Sequence, residues 1–202
     1  MRKIITITFI TLDGVMQAPG GPTEDTSGGF KYGGWQLLGW NEADKVADKI
    51  IDGFMKTPFE LLLGKRTYKI FAAYWPNDKQ EPSVANPFNS TKKYVVAHTP
   101  FELSWNNSAI VTGDVAGEIK KLKKQGGPDL VVWGSGNLIQ TLLKNDLIDQ
   151  MHIFTYPITI GTGKKLFAKG TRPEKFKVID TKITSTGVVF ASYTPSEPLK
   201  IG

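Results

Sequence analysis

Three strand ends carry residue types suited to holding an anion. In Leu63-Gly64-Lys65-Arg66-Thr67-Tyr68 a turn glycine is followed by two cations and a hydroxyl. A helix that starts there presents free N–H groups and the positive end of its dipole, so phosphate is the natural guest. An ordinary glycine turn with two solvated cations explains the motif equally well. The second junction is Val132-Trp133-Gly134-Ser135-Gly136-Asn137, where two glycines would let a diphosphate lie against the main chain. No GK[ST] follows, so this is not a Walker motif, and a tight turn is the competing reading. The third is Ala97-His98-Thr99, a strand end with room for a further phosphate or a ribose. Two anion-type junctions say more together than either alone, because a dinucleotide carries phosphates at two places.

Asp13-Gly14 closes the first strand and would place a carboxylate at the mouth of a pocket. It is the first choice for donating a proton or ordering a water, against the common turn-forming role of Asp-Gly. Eight of the 21 glycines then fall between Gly14 and Gly39, interleaved with Phe30, Tyr32 and Trp35 and followed by Trp40. A loop this long inside a compact domain is usually a lid or a binding loop. Trp35 and Trp40 are the residues expected to cover a substrate ring. Glu42 and Asp44 follow in a helix's first turn, where the dipole lowers carboxylate pKa values and disfavours them as acids.

These residues need a scaffold, and the hydrophobic pattern supplies one. Strands are expected at 3–10, 59–63, 93–97, 108–111, 129–133 and 148–156. Helices are expected from about Asn41 to Thr57, over 65–74, over 114–125, and in a short run at Leu138–Leu143. Polar residues and prolines mark 77–91 as loop, and 176–194 alternates as a hairpin turning near Thr186-Gly187. Repeated strand–helix–strand units predict a single three-layer α/β/α domain with a mainly parallel central sheet and a C-terminal antiparallel hairpin. In such sheets ligands bind beyond the carboxyl ends of the strands, where all three junctions fall.

Composition narrows the choice of function. The chain has 202 residues, 40% hydrophobic and 22% charged, and carries 25 Lys+Arg against 19 Asp+Glu, a formal charge of +6. The surplus suits an anionic partner. With no cysteine and only His98 and His152, a thiol nucleophile or a histidine-rich metal site has no material. Lys120-Lys-Leu-Lys-Lys124 invites a nucleic-acid reading, but Leu122 lies on an apolar stripe and the lysines form the solvated back of a helix. The apolar N-terminus is too short to span a bilayer. Nucleic acid and membrane are therefore not expected partners, and a cytoplasmic location is expected.

Taken in order, Thr11-Leu-Asp13-Gly14, Leu63-Gly64-Lys-Arg-Thr67-Tyr68, Tyr94-Val-Val-Ala-His-Thr99, Trp133-Gly-Ser-Gly-Asn-Leu-Ile139, Leu147-Ile-Asp149-Gln150 and Tyr156-Pro-Ile-Thr-Ile-Gly161-Thr-Gly163-Lys-Lys-Leu-Phe167 resemble the RibD C-terminal-domain family. These are the riboflavin-biosynthesis reductases, related to enzymes of the dihydrofolate reductase-like fold. The resemblance implies a homodimeric, NADPH-dependent reductase acting on a small heterocycle: a pyrimidine-linked ribose or, in the dihydrofolate branch, a pteridine. By position, Gly64, Lys65, Arg66 and Thr67 would hold the adenosine-side phosphates, and Ala97, His98 and Thr99 the adenine ribose. Trp133, Gly134, Ser135, Gly136 and Asn137 would cradle the diphosphate, with Asp13 and Gly14 beside the nicotinamide and substrate. Lys65, Ala97 and Gln150 depart from the usual arginine, serine and glutamate. A nucleotide-binding protein without catalysis is the competing class.

Overall fold

Six parallel strands bring the three junctions to one edge. The computed structural model describes residues 1–39, 45–197 and 199. Strands β1 (Ile4–Thr11), β2 (Phe59–Gly64), β3 (Lys93–Val96), β4 (Ser108–Val111), β5 (Asp129–Trp133), β6 (Gln150–Tyr156), β7 (Phe176–Ile183) and β8 (Val189–Pro195) form one sheet in the order β4-β3-β2-β5-β1-β6-β8-β7. Neighbours from β4 to β6 pair in parallel, whereas β8 runs antiparallel to both β6 and β7. This is the expected architecture, with β1 central between β5 and β6.

The central position of β1 follows from its apolar groups on both faces. Ile5, Ile7 and Phe9 join Leu61, Leu63, Val131, Phe154 and Phe190 in one core. Helices α1 (Lys45–Lys56), α2 (Lys65–Tyr74) and α3 (Pro82–Ser90) cover it through Ile50, Tyr68 and Phe88. On the opposite face Ile4, Leu62, Leu130, Val132 and Ile153 meet Ile119 of α4 (Val115–Lys124) and Leu138, Ile139, Leu142 and Leu143 of α5 (Gly136–Lys144). At the outer edge β7 is exposed along most of its length and carries Lys177, Asp180 and Lys182, charges that discourage pairing with another strand.

One expectation fails. Residues 77–91 are not all loop, since α3 occupies 82–90 despite Pro87 inside it. Pro82 stands in the first turn, where its missing N–H costs nothing. The Asp78 carboxylate accepts from the Glu81 N–H at 2.9 Å just before it. Ala85 and Phe88 bury one face, and this burial outweighs the hydrogen bond that Pro87 removes. Phe88 is fully buried, stacks on Phe71 at 5.7 Å, and meets Trp75 and Trp133 edge-on. No helix among the described residues is long and apolar enough to cross a membrane.

The aromatic cluster yields a stability test. Phe88→Ala should lower the unfolding free energy by about 3–5 kcal/mol, the usual cost of emptying a packed aromatic site. Ile183→Ala, at a position 66% exposed, should stay within about 0.5 kcal/mol of wild type. Urea titration followed by circular dichroism measures both.

Candidate active site

Two helices start side by side at the carboxyl edge of the sheet, and a hydrogen bond joins their starts. The Gly64 N–H at the end of β2 donates to Ser135 Oγ at 3.0 Å. Gly134 and Ser135 take left-handed conformations in succession, φ +70° and +63°. The Gly134 N–H returns to the Ile7 carbonyl at 3.1 Å, which fixes the turn onto β1. The Thr67 methyl lies 3.8 Å from where a Gly134 side chain would begin. The structure therefore brings Gly64–Thr67 and Gly134–Asn137 together.

Neither helix start is capped by a side chain. Gly64 has none to offer, and the Ser135 hydroxyl is turned to Gly64 instead of to α5. At α4 the Asp114 carboxylate accepts from the Gly117 N–H and closes that end. The first N–H groups of α2 and α5 thus remain available to an anion, whereas α4 offers a carboxylate. Lys65 Nζ stands 4.6 Å over the Phe101 ring. Ala97 is buried, its N–H bonded to the Val111 carbonyl, and His98 and Thr99 are exposed beyond β3 on the same edge. Among the described residues no three His, Asp or Glu cluster as metal ligands do.

The glycine-rich stretch is an organised flap. Residues 14–16 run beside 164–166, with Met16 N–H donating to the Lys164 carbonyl and Leu166 N–H to the Gly14 carbonyl. Gln17, almost fully buried, donates from Nε2 to the Asp25 and Ser27 carbonyls and accepts the Lys164 N–H on Oε1. Asp25 is the electrostatic centre. It accepts from Arg66 at 2.7 Å, from Lys164 Nζ at 2.6 Å, and from the Ser27 hydroxyl and N–H. Burial raises its pKa, but the bonds from Lys164 and Ser27 and the charge of Lys164 outweigh that and bring it down to about 2. Nothing in the sequence singles out Gln17 or Asp25, and Lys164 stands out only as part of the 156–167 motif, because their partners are far away along the chain.

Several expected roles are corrected here. Arg66 is shared with Asp25 through Nη1, so it does not stand wholly free for a phosphate. Asp13 accepts from the Thr11 hydroxyl at 2.6 Å and from the Gly161 and Ile160 N–H groups at 2.8 and 3.2 Å. The Thr11 bond foremost, helped by the two N–H groups, holds its pKa at about 2 against desolvation. A carboxyl so thoroughly ionised is a poor proton donor near neutral pH, and Asp13 instead fastens the loop after β6. Gly14 makes the tight turn, with φ +81°. Trp35 is 4% exposed, donates from Nε1 to the Gln17 carbonyl at 2.8 Å, and packs edge-on against Tyr156. It is a core wedge under the flap, not an open cover. Trp40, Asn41, Glu42 and Asp44 lie outside the described residues. Gly136 also serves packing, because a Cβ there would meet Met16 Sδ at 3.0 Å.

Known proteins share this fold. The pattern of the RibD C-terminal domain matches residues 2–190. Bacillus subtilis has two uncharacterised relatives: YyaP, 26% identical over 95% of this chain and 94% of its own length, and YwjB, 22% identical over 90% and 91%. Among solved structures, a Shewanella protein described under riboflavin biosynthesis superposes with a TM-score of 0.71 at 22% identity, covering 96% of this chain and 99% of that one. A pyrimidine reductase-like protein of Corynebacterium diphtheriae gives 0.62 at 12% identity, with coverage of 97% and 92%. Enterococcus faecalis dihydrofolate reductase in complex with NADP(H) gives 0.60 at 12%, with coverage of 96% and 97%. The fold is dihydrofolate reductase-like.

Replacing Asp25 tests the flap. Asp25→Asn should speed amide exchange across residues 25–31 about fivefold, the equivalent of about 1 kcal/mol for ion pairs with half-exposed cations. Because Asp13 and Asp25 titrate near 2 when folded and near about 3.9 when unfolded, their stabilisation is complete above about pH 4 and fades as pH falls toward 2. Wild-type stability, followed by urea titration, should therefore drop more steeply over that window than the variant's.

Proposed function

The chain belongs to the RibD C-terminal domain family, and from that premise we propose that it is a nicotinamide-dependent reductase acting on a small heterocycle of the pyrimidine or pteridine class. The observation that carries the reading is the pair of uncapped helix starts joined through Gly64 and Ser135 on one edge of the sheet. A dinucleotide needs two neighbouring anion sites, and the chain's net charge of +6 favours such a ligand.

When bound, the dinucleotide supplies the hydride, and the protein's part is to bind, orient and exclude water. Gly134–Asn137 at the start of α5 hold the diphosphate on main-chain N–H groups. Gly64, Lys65 and Thr67 at the start of α2 take the adenosine-side phosphates, and Ala97–Thr99 border the adenine ribose. Lys65 replaces Arg66 as the cation that reads a 2′-phosphate, since Arg66 is committed to Asp25. The flap closed by Asp25, Lys164 and Gln17 covers the edge. Asp13 stays ionised, so the proton that must accompany the hydride comes from solvent.

Cofactor titration by calorimetry tests the binding part. Lys65→Ala should weaken NADPH about 5- to 150-fold, the loss of one charge-assisted contact of about 1–3 kcal/mol. NADH binding should be unchanged. Equal losses for both cofactors would show that Lys65 does not read the 2′-phosphate. Catalysis is tested separately by steady NADPH oxidation in the presence of pterin and aminopyrimidine substrates. Tight NADPH binding with no oxidation across that series would instead support a nucleotide-binding protein without turnover.

A further inference from the structure

Beneath the last turn of α1, on the α1–α3 face of the sheet, lies a cavity of about 160 Å³. Phe59 and Asp129, the first residues of β2 and β5, and the exposed Thr57-Pro58 place one end of it toward the amino edge, while Ile7 and Trp133 carry its other end up to the Gly134 junction. Its walls are largely apolar: Ile5 and Ile7 from β1, Val131 and Trp133 from β5, Phe54 and Met55 from α1. A cavity of this order holds one benzene-sized ring.

The polar groups in the wall are few, and two are already engaged. The Thr57 hydroxyl donates to the Gly53 carbonyl at 3.0 Å, and Asp129 Oδ1 accepts the Lys3 N–H at 2.7 Å. The third is His152. Its Nδ1 is bonded to Ser192 Oγ at 2.7 Å, and its ring is flanked by Phe54 at 4.8 Å and Phe190 at 5.8 Å. Among the described residues nothing hydrogen-bonds its Nε2. Burial lowers the imidazole pKa to about 4, so the ring is neutral at pH 7. No lysine or arginine lines the cavity. A charged guest would be partly dehydrated without gaining a cationic partner, and the Asp129 carboxylate would repel an anion.

We propose that this cavity is a second ligand site, one that takes a single uncharged aromatic ring bearing one hydrogen-bonding heteroatom, with His152 Nε2 as the specificity-determining partner. The aromatic and aliphatic walls provide the affinity, and the free imidazole nitrogen selects a hydroxyl or ring nitrogen over plain hydrocarbon. Trp133 forms part of the wall and leads directly into the Gly134-Ser135 turn, so the site abuts the cofactor edge through one residue. The proposal does not depend on hydride transfer and is tested by binding alone.

The test is ligand-observed NMR and calorimetry on the full chain with phenol, toluene and benzoate. Phenol should bind, and benzoate should bind at least tenfold more weakly. His152→Phe keeps the stack with Phe54 and Phe190; it should weaken phenol about tenfold and leave toluene unchanged. Met55→Trp, at the half-buried end of α1, should fill the cavity and abolish binding of both neutral rings. It serves even where His152→Phe fails to fold. Benzoate binding as tightly as phenol, wild-type phenol affinity in either variant, or no phenol binding to the wild type would each overturn the proposal.

Discussion

The hydrogen bond from the Gly64 N–H to the Ser135 hydroxyl is the constraint on which the candidate site depends. It spends the one side chain that could have capped α5 on the start of α2 instead. Two neighbouring sets of main-chain N–H groups are thereby left without a side-chain partner. A helix start left open in this way is an anion site only if something else fixes its position. That fixing comes from β1, whose Ile7 carbonyl receives the Gly134 N–H, and from the parallel pairing of β2, β5 and β1. The buried strands set the geometry, and the left-handed pair Gly134-Ser135 turns the chain sharply enough to bring α5 beside α2.

Charge organises the other half of the site. A carboxylate as buried as Asp25 would be costly alone; Lys164 and Ser27 hold it ionised, and Arg66 bonds to it as well. The flap, the start of α2 and the loop after β6 are thus tied at one point. Asp13 makes a parallel tie by drawing the N–H groups of Ile160 and Gly161 onto the end of β1. Both carboxylates are held ionised by the bonds that make these ties. The anionic clasp also sets a division of labour between adjacent cations: Arg66 holds the flap, and Lys65, over Phe101, is left for a ligand.

The fold was legible because its signals are local and periodic. Apolar residues on both faces of 4–10 mark a central strand, and the stripe Ile119, Leu122 marks the inward side of α4. The Gly134 junction is legible for a local reason too, since its φ of +70° favours glycine, whereas Gly64 has a φ of −73° that any residue adopts. Helix α3 was missed because Pro82 and Pro87 suggest loop while Phe88, whose burial decides the matter, finds its partners in Phe71, Trp75 and Trp133. The position of Asp13 at the end of β1 is legible, but its ionisation is not. Its pKa is set by Thr11 and by N–H groups almost 150 residues away. Trp35 looks like a substrate cover because aromatic residues among glycines suggest a lid, yet its indole is satisfied by Gln17 and buried against Tyr156.

The central claim is that a dinucleotide lies across the two open helix starts. The most direct measurement is a main-chain amide shift map of uniformly labelled protein titrated with NADPH. The account predicts that the largest changes fall together on Gly64–Thr67 and Gly134–Leu138, while Val115–Gly117 at the carboxylate-capped start of α4 stay still. Changes confined to α4 or to the outer strands, or silence at both junctions under saturating cofactor, would contradict it.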